Sequence, residues 1–315
     1  MNGMSLYWQF RNVCDRGLLL GTVTILLIAG CGRQLGPGPV ANLSAAKSIR
    51  AVLVKAEELE ASEETSGTTS GTGWATIRGQ FLYGGDPTTI QLRELTEVLN
   101  HDDRAICAPG GKPPRAETLV VDSATRGIKN VAIYLRSASR VHDSAASPPS
   151  EPVVFDQQHC VFLTRVFGVT IGQKVEVKNS DPTGHNTKVG GKNSFNQTIP
   201  RGESIIYEPQ KEEALPTPIT CSIHPWMIAY MLPRQNGYYA VTDEQGQFEI
   251  DNVPAGEELE FQVWHESGAA SGNGLVGQSD DAALKWDNRG RVKITLQPDE
   301  VKEFKVTVPP TAFRG

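Results

Sequence analysis

Seven consecutive residues, Cys221-Ser222-Ile223-His224-Pro225-Trp226-Met227, carry the chemistry that the rest of the chain must position. They offer a thiolate, an imidazole and a thioether at C-x2-H-x2-M spacing. Those are the soft and borderline donors of a mononuclear copper site, and one short loop can aim all three at a single atom. A second imidazole has to come from elsewhere. His185 stands 36 residues before Cys221, in Asn179-Ser180-Asp181-Pro182-Thr183-Gly184-His185-Asn186, where a loop leaves the strand expected at 174–178. Met231 is a further thioether, but it lies in the strand expected next, so Met227 is preferred. A single loop cysteine excludes a centre built on two bridging thiolates, and structural zinc generally takes more thiolates or histidines. A Cys-His nucleophile would need a cleft and an oxyanion hole. It would leave the methionine without a part, and no catalytic-cysteine signature is present.

The elements that hold these donors read as strands. Residues 75–83 alternate apolar and polar and stop at Gly84-Gly85-Asp86-Pro87. Further strands are expected at 117–121, 130–136, 160–166, 174–178, 204–208, 219–222, 228–232, 238–242, 247–250, 258–264, 291–296 and 303–308. Short runs between Gly, Pro, Asn and Asp clusters are the pattern of sandwiches and barrels. Residues 88–99 allow a short helix. Residues 137–152 and 267–281 read as exposed irregular loops. The roughly 240 residues after the first 72 exceed one small sandwich, so two domains are expected.

The donor pattern resembles the cupredoxins, and within them the amicyanin and plastocyanin group. A His followed by Asn on an upstream loop, with Cys, His and Met on one later loop, is that group's arrangement. Pro after the second His and an aromatic before the Met look most like amicyanin, with Trp226 where phenylalanine is usual. The stretch from Gln158 through Asp181 is similar to the strand-turn-strand entry of those domains. The match covers residues 153–235 and implies a Greek-key sandwich. It makes His185 and His224 the imidazole ligands, Cys221 the thiolate and Met227 the weak axial ligand. Asn186 would tie the two ligand loops together. Four protein donors leave no open position for a substrate, so the implied chemistry is electron transfer. Pro225 and Trp226 would form an apolar collar around the edge of His224 where a redox protein docks. Simple core packing is the other reading of Trp226.

A second resemblance lies downstream. Tyr239-Ala240-Val241-Thr242-Asp243-Glu244-Gln245-Gly246-Gln247-Phe248-Glu249-Ile250, followed by Asn252-Val253-Pro254-Ala255-Gly256, is similar to carboxypeptidase regulatory-like (transthyretin-like) modules. The Thr-Asp-x-x-Gly turn is expected to join two strands as a hairpin. The chain between residues 136 and 239 is too long for a loop within one compact domain. The expected organisation is therefore all-β. Residues 73–152 and 236–315 would build a smaller transthyretin-like sandwich, and 153–235 a copper domain inserted in it or sharing a strand with it.

The N-terminus sets the compartment. Arg11 and Arg16 precede an apolar run too short to span a bilayer but suited to an export signal. It ends in Leu27-Ile28-Ala29-Gly30-Cys31, which resembles the lipobox of bacterial lipoproteins. That resemblance implies cleavage before Cys31, acylation of its thiol, and a signal peptide spanning 1–31. Acyl chains anchor a protein to a membrane surface without spanning it. Residues 32–72, rich in Gly, Pro, Ser, Thr and Glu, read as a disordered tether. With Cys14 in the signal and Cys31 lipidated, three cysteines remain. Cys107 with Cys160 is the expected disulfide, two unpaired buried thiols being the alternative. The chain's net charge is −6, and the part after Cys31 is one unit more acidic. With no basic patch, nothing suggests nucleic acid as a partner. Of the other histidines, His101 beside Asp102 and Asp103 reads as solvated surface, and His142 as part of a loop. His159 is expected on the opposite strand face from Cys160, and His265 at a strand end.

Together these features predict an exported, membrane-anchored protein that holds one copper ion, carries single electrons in the periplasm or at the cell surface, and is not an enzyme. The rival expectations are a non-redox surface binding or copper-storage module, and an accessory domain of an oxidase or dehydrogenase complex.

Overall fold

The computed structural model describes residues 72–279 and 281–314. The signal, Cys31 and nearly all of the tether lie outside the described residues. In chain order the strands are β1 (Trp74–Tyr83), β2 (Ala132–Leu135), β3 (Val153–Gln158), β4 (Val161–Phe162), β5 (Val166–Thr170), β6 (Val175–Asn179), β7 (His185–Val189), β8 (Phe195–Ile199), β9 (Ser204–Tyr207), β10 (Thr217–Thr220), β11 (Ile228–Arg234), β12 (Tyr239–Val241), β13 (Gln247–Pro254), β14 (Glu258–Trp264), β15 (Lys285–Trp286), β16 (Arg291–Thr295) and β17 (Val301–Val308). Two single-turn helices, α1 (Arg104–Cys107) and α2 (Asp143–Ala146), interrupt them. The fold is all-β. Among the described residues no helix is long and apolar enough to cross a membrane.

The strands form four sheets in two sandwiches. One sandwich pairs the three-stranded sheet β13-β1-β17 with the five-stranded sheet β12-β2-β14-β16-β15. Its core contains Ile77, Phe81, Ile133, Ile250, Phe261 and Val306. The alternation of β1 explains its place there. Ala75, Ile77, Phe81 and Tyr83 turn inward, while Gly79 lets the rings of Phe248 and Phe304 close over the strand. The second sandwich pairs β5-β11-β10-β7-β8 with β4-β3-β6-β9. Phe155, Phe167, Val177, Ile199, Ile219 and Met231 fill its core.

The sandwiches meet along a third cluster, Ala132, Tyr134, Val166, Leu232 and Trp264. Gly168 is required there because a Cβ would collide with the Tyr239 ring. The interface also holds polar links. Arg165 donates to both carboxylate oxygens of Glu266 at 2.6 Å. Buried Arg234 donates to the carbonyls of Glu213, Leu135 and Arg136 at 3.0, 2.7 and 3.1 Å.

Several sequence expectations are corrected. Residues 88–99 form no α-helix: two short 3-10 helices, Pro87–Thr89 and Thr96–Asn100, flank extended chain. Only an isolated bridge, Val121 to Ile128, stands near the strand expected at 117–121. Strands β7 and β8 were not expected, because their sequences are largely polar. The Thr242-Asp243 turn is no hairpin. β12 pairs with β2 and β13 with β1, so the turn is a corner carrying the chain between the sheets of one sandwich. His159 and Cys160 lie on no strand. Both have left-handed φ, 53° and 54°, in the turn from β3 to β4. Finally, residues between β1 and β2 do not stay with their own sandwich. Leu95, Val98, Cys107 and Ala108 are buried in the core of the other one.

Thr242 shows what the corner depends on. Its hydroxyl accepts from the Val131 N–H at 2.9 Å and donates to the Ile128 carbonyl at 2.7 Å, in a site 3% exposed. Thr242→Val keeps the shape but strands both groups. It is expected to cost about 2 kcal/mol in denaturant unfolding, whereas Thr76→Val, which breaks an exposed bond to Asp251, should cost far less.

Candidate metal centre

The C-x2-H-x2-M segment is the loop between β10 and β11. It is closed by backbone bonds from Met227 N–H to His224 O at 2.9 Å and from Cys221 N–H to Met227 O at 3.4 Å. Because β10 and β11 pair antiparallel up to Thr220 and Ile228, the loop has a fixed base. β10 also pairs with β7, whose first residue is His185. The sheet therefore brings the upstream imidazole beside the loop.

The three donors converge. His185 Nδ1 lies 2.9 Å from His224 Nδ1, and Cys221 Sγ lies 3.8 Å from His224 Nδ1. Ligand atoms of all three fall within 4.8 Å of one another. His185 and His224 are fully buried and Cys221 is 2% exposed. Two backbone N–H groups, of Asn186 and His224, point at the sulfur at 3.3 and 3.4 Å. Asn186 also accepts from the Ser222 N–H at 3.2 Å, joining the β7 end to the loop. Met227 is buried at the end of the loop and Met231 in β11.

The outward edge of each imidazole meets a carboxylate. His185 Nε2 is 2.7 Å from Asp181, and His224 Nε2 is 3.0 Å from Asp103. A carboxylate only accepts, so each Nε2 carries the hydrogen. The two Nδ1 atoms then face each other and the sulfur. Two lone pairs at 2.9 Å repel unless a cation or a proton stands between them. Bonds of roughly 2.0 Å to nitrogen and 2.3 Å to sulfur, as at zinc, place donors about 3–4 Å apart around one ion. The residues present therefore fit a copper ion, and their softness suits it.

The charges in the metal-free protein are consistent with this. Burial pushes the Cys221 thiol up, but hydrogen bonds from His185, His224 and the two backbone amides outweigh it and pull it down to about 5. Burial alone would lower His185, yet Asp181 and Cys221 raise it to about 9. Asp181 is held below its ordinary value: hydrogen bonds from His185, Cys160 and His159 overcome its burial. The sulfur is thus poised as thiolate, the form that binds metal.

Asp181 does more than hold His185. Its two oxygens accept the N–H groups of His159 and Cys160 at 2.7 and 2.8 Å, which offsets the left-handed backbone there. Cys160 is disulfide-bonded to Cys107, and Cys221 is the free cysteine among the described residues. The bridge carries residues 101–107 onto the centre. His101 packs on His224 and Trp226, with ring centroids 4.8 and 5.2 Å away.

This changes the reading of Pro225 and Trp226. Pro225 is exposed, but the edge of His224 is not open within a collar. Asp103 and His101 cover it, and Trp226 turns inward to donate its indole N–H to the Cys160 carbonyl at 2.9 Å. Asp103, Asp181 and His101 were missed as site residues. The one sequence signal was position: Asp181 is four residues before His185, and His101 and Asp103 are six and four before a bridged cysteine. His142 caps α2 and packs on Trp74, and His265 is buried against Phe313, both apart from the centre.

No family model matches the chain, and no curated protein matches it. Some solved structures are similar to part of it. A copper-containing nitrite reductase from Thermus scotoductus SA-01 is 20% identical over 31% of this chain, with a TM-score of 0.26, and the match spans 28% of the reductase chain. Amicyanin from Paracoccus versutus is 16% identical over 32% of this chain and 97% of its own, with a TM-score of 0.25. A reduced Cu(I) form of an amicyanin mutant is 17% identical over 29% of this chain and all of its own, also at 0.25. Likenesses this faint decide neither fold nor function.

Proposed function

We propose that the protein is a cupredoxin-type electron carrier that holds one copper ion through His185, Cys221 and His224, with Met227 as the weak fourth donor. The observation that carries this reading is the burial of two Nδ1 atoms and a thiolate-poised sulfur within 4.8 Å of one another. Copper in such a donor set exchanges one electron with little rearrangement. The chain supplies the rest. Asp181 and Asp103 hold the ring orientations, and the N–H groups of Asn186 and His224 spread the charge on the sulfur. The rigid strand pairing keeps the donors in place, and burial excludes water. A nucleophilic role for Cys221 would need a route for substrate to a sulfur that is 2% exposed. The lipobox at Cys31 supports export and anchoring to a membrane surface, where a redox protein would be the partner. The covered edge of His224 favours, as a second reading, a module that holds copper without exchanging electrons.

The test is the full chain expressed with export. One copper per chain, a visible thiolate-to-copper band and a reversible one-electron wave are expected. The band should vanish in Cys221→Ser, and copper content should drop in His185→Ala, with the far-ultraviolet signature of the β fold kept in both. A folded protein that takes up no copper sinks the proposal. Copper with the band but no reversible wave selects the holding module.

A further inference from the structure

We infer that Asp103 is a positioning residue on a resident lid, which fixes the ring of His224 and closes the edge through which that ring would otherwise meet solvent. This rests on the copper reading for its redox consequence but on geometry alone for the lid. The lid comes from the wrong sandwich: residues 95–108 leave β1, the strand of one core, and bury Leu95, Val98, Cys107 and Ala108 in the other. The Cys107–Cys160 bridge pins it four residues past Asp103.

Both oxygens of Asp103 are engaged. Oδ2 takes the His224 Nε2 hydrogen at 3.0 Å, and Oδ1 accepts from the Thr183 hydroxyl at 3.2 Å. Thr183 belongs to the loop that also carries Asp181 and leads into His185. One carboxylate therefore bridges the lid, the His185 loop and His224. His101 lies over the same ring, its Nδ1 accepting the Asp103 N–H at 3.1 Å. Where both ligand rings carry a carboxylate on the far nitrogen, their donor nitrogens become more basic. A more basic ligand favours the more highly charged ion. With copper bound, the lid would favour Cu(II) over Cu(I) through His224, and it would keep a second copy of the protein from approaching the ring edge.

Three measurements test this. In the metal-free protein, nitrogen NMR should show His224 with its hydrogen on Nε2, and this signature should be lost in Asp103→Ala. In the copper protein, Asp103→Asn, which removes the charge and keeps the shape, should raise the midpoint potential. A tenfold change in the Cu(I)/Cu(II) ratio would appear as 59 mV. Electron self-exchange, measured by NMR line broadening in mixed-valence samples, should be at least tenfold faster in the His101→Ala, Asp103→Ala double variant than in the wild type. An unchanged His224 tautomer in Asp103→Ala overturns the positioning role, because a merely structural residue would leave the tautomer in place. An unchanged potential in Asp103→Asn overturns the redox consequence, and an unchanged self-exchange rate overturns the closure. If no copper binds but the tautomer shifts, the carrier reading falls and the lid stands.

Discussion

Replacing Cys107 and Cys160 together by alanine is expected to lower the unfolding free energy by about 4 kcal/mol. The bond closes a loop with a sequence separation of 53. The chain-entropy relation for a loop of that length gives roughly 4 kcal/mol at room temperature. The native state adds little opposing relaxation, because both half-cystines are buried and their neighbours Val98, Ala108 and Phe162 pack around them. The closed loop also contains β2, a central strand of the first sandwich. Opening it therefore loosens both sandwiches at once. Urea unfolding of the double variant, compared with the wild type at equal m-value, reads the difference. A loss below about 1 kcal/mol would show that the apolar contacts of residues 95–108 hold the lid unaided. The same variant should also lengthen the His224 to Asp103 bond on average, exposing the ring. That outcome would be seen as faster loss of bound copper to a chelator.

What could be read in advance follows from how far apart in sequence the cooperating residues are. Cys221, His224 and Met227 were legible because one loop holds them and spacing fixes their reach. The inward alternation of β1 and β6 was legible because a strand in a sandwich buries every second residue. The polar strands were not. His185-Asn186-Thr187-Lys188-Val189 has no apolar alternation, yet four of its five residues are buried. Two of these polar side chains find partners instead: Asn186 donates to Asn196 and Gln197 of β8, and His185 meets Asp181. A buried polar network leaves the composition of a loop on a strand.

The lid was illegible for a different reason. Asp102 and Asp103 beside His101 have the composition of solvated surface, and two of the three residues are still partly exposed. Nothing local says that a chain leaving one sandwich should cross to the other. The crossing is held by the burial of Leu95 and Val98 in the other core and by a bridge to Cys160. Pairing two cysteines from the count of those left over identifies the bridge but not what it drags along. Hence the edge of His224 reads as open in sequence and is closed in the fold.

Acid should weaken the first sandwich through His265, by about 3 kcal/mol between pH 7 and pH 4. This ring directly follows β14, is 1% exposed, packs edge-on against Phe313 and accepts the Ser267 N–H at Nδ1. Burial is the main reason its pKa falls, to about 4; a hydrogen bond to the Lys129 backbone opposes that weakly, and the charge of Arg165 adds to it. In the unfolded chain the same ring titrates near 6.5. Between those values the unfolded state holds the extra proton, so stability rises with pH there. The contribution is fully present above about 6.5 and is lost as pH falls toward 4. At about 1.4 kcal/mol per unit, the full span amounts to about 3 kcal/mol. Carboxylates titrate in the same range, so the comparison must be differential. His265→Gln keeps a hydrogen-bond acceptor without the titration. It should be less stable than the wild type at pH 7, and the gap should shrink by about 3 kcal/mol as the pH is lowered to 4. If the two stability curves run parallel across that range, the ring is already protonated in the folded protein. Its site beside Arg165 would then have to admit a second positive charge.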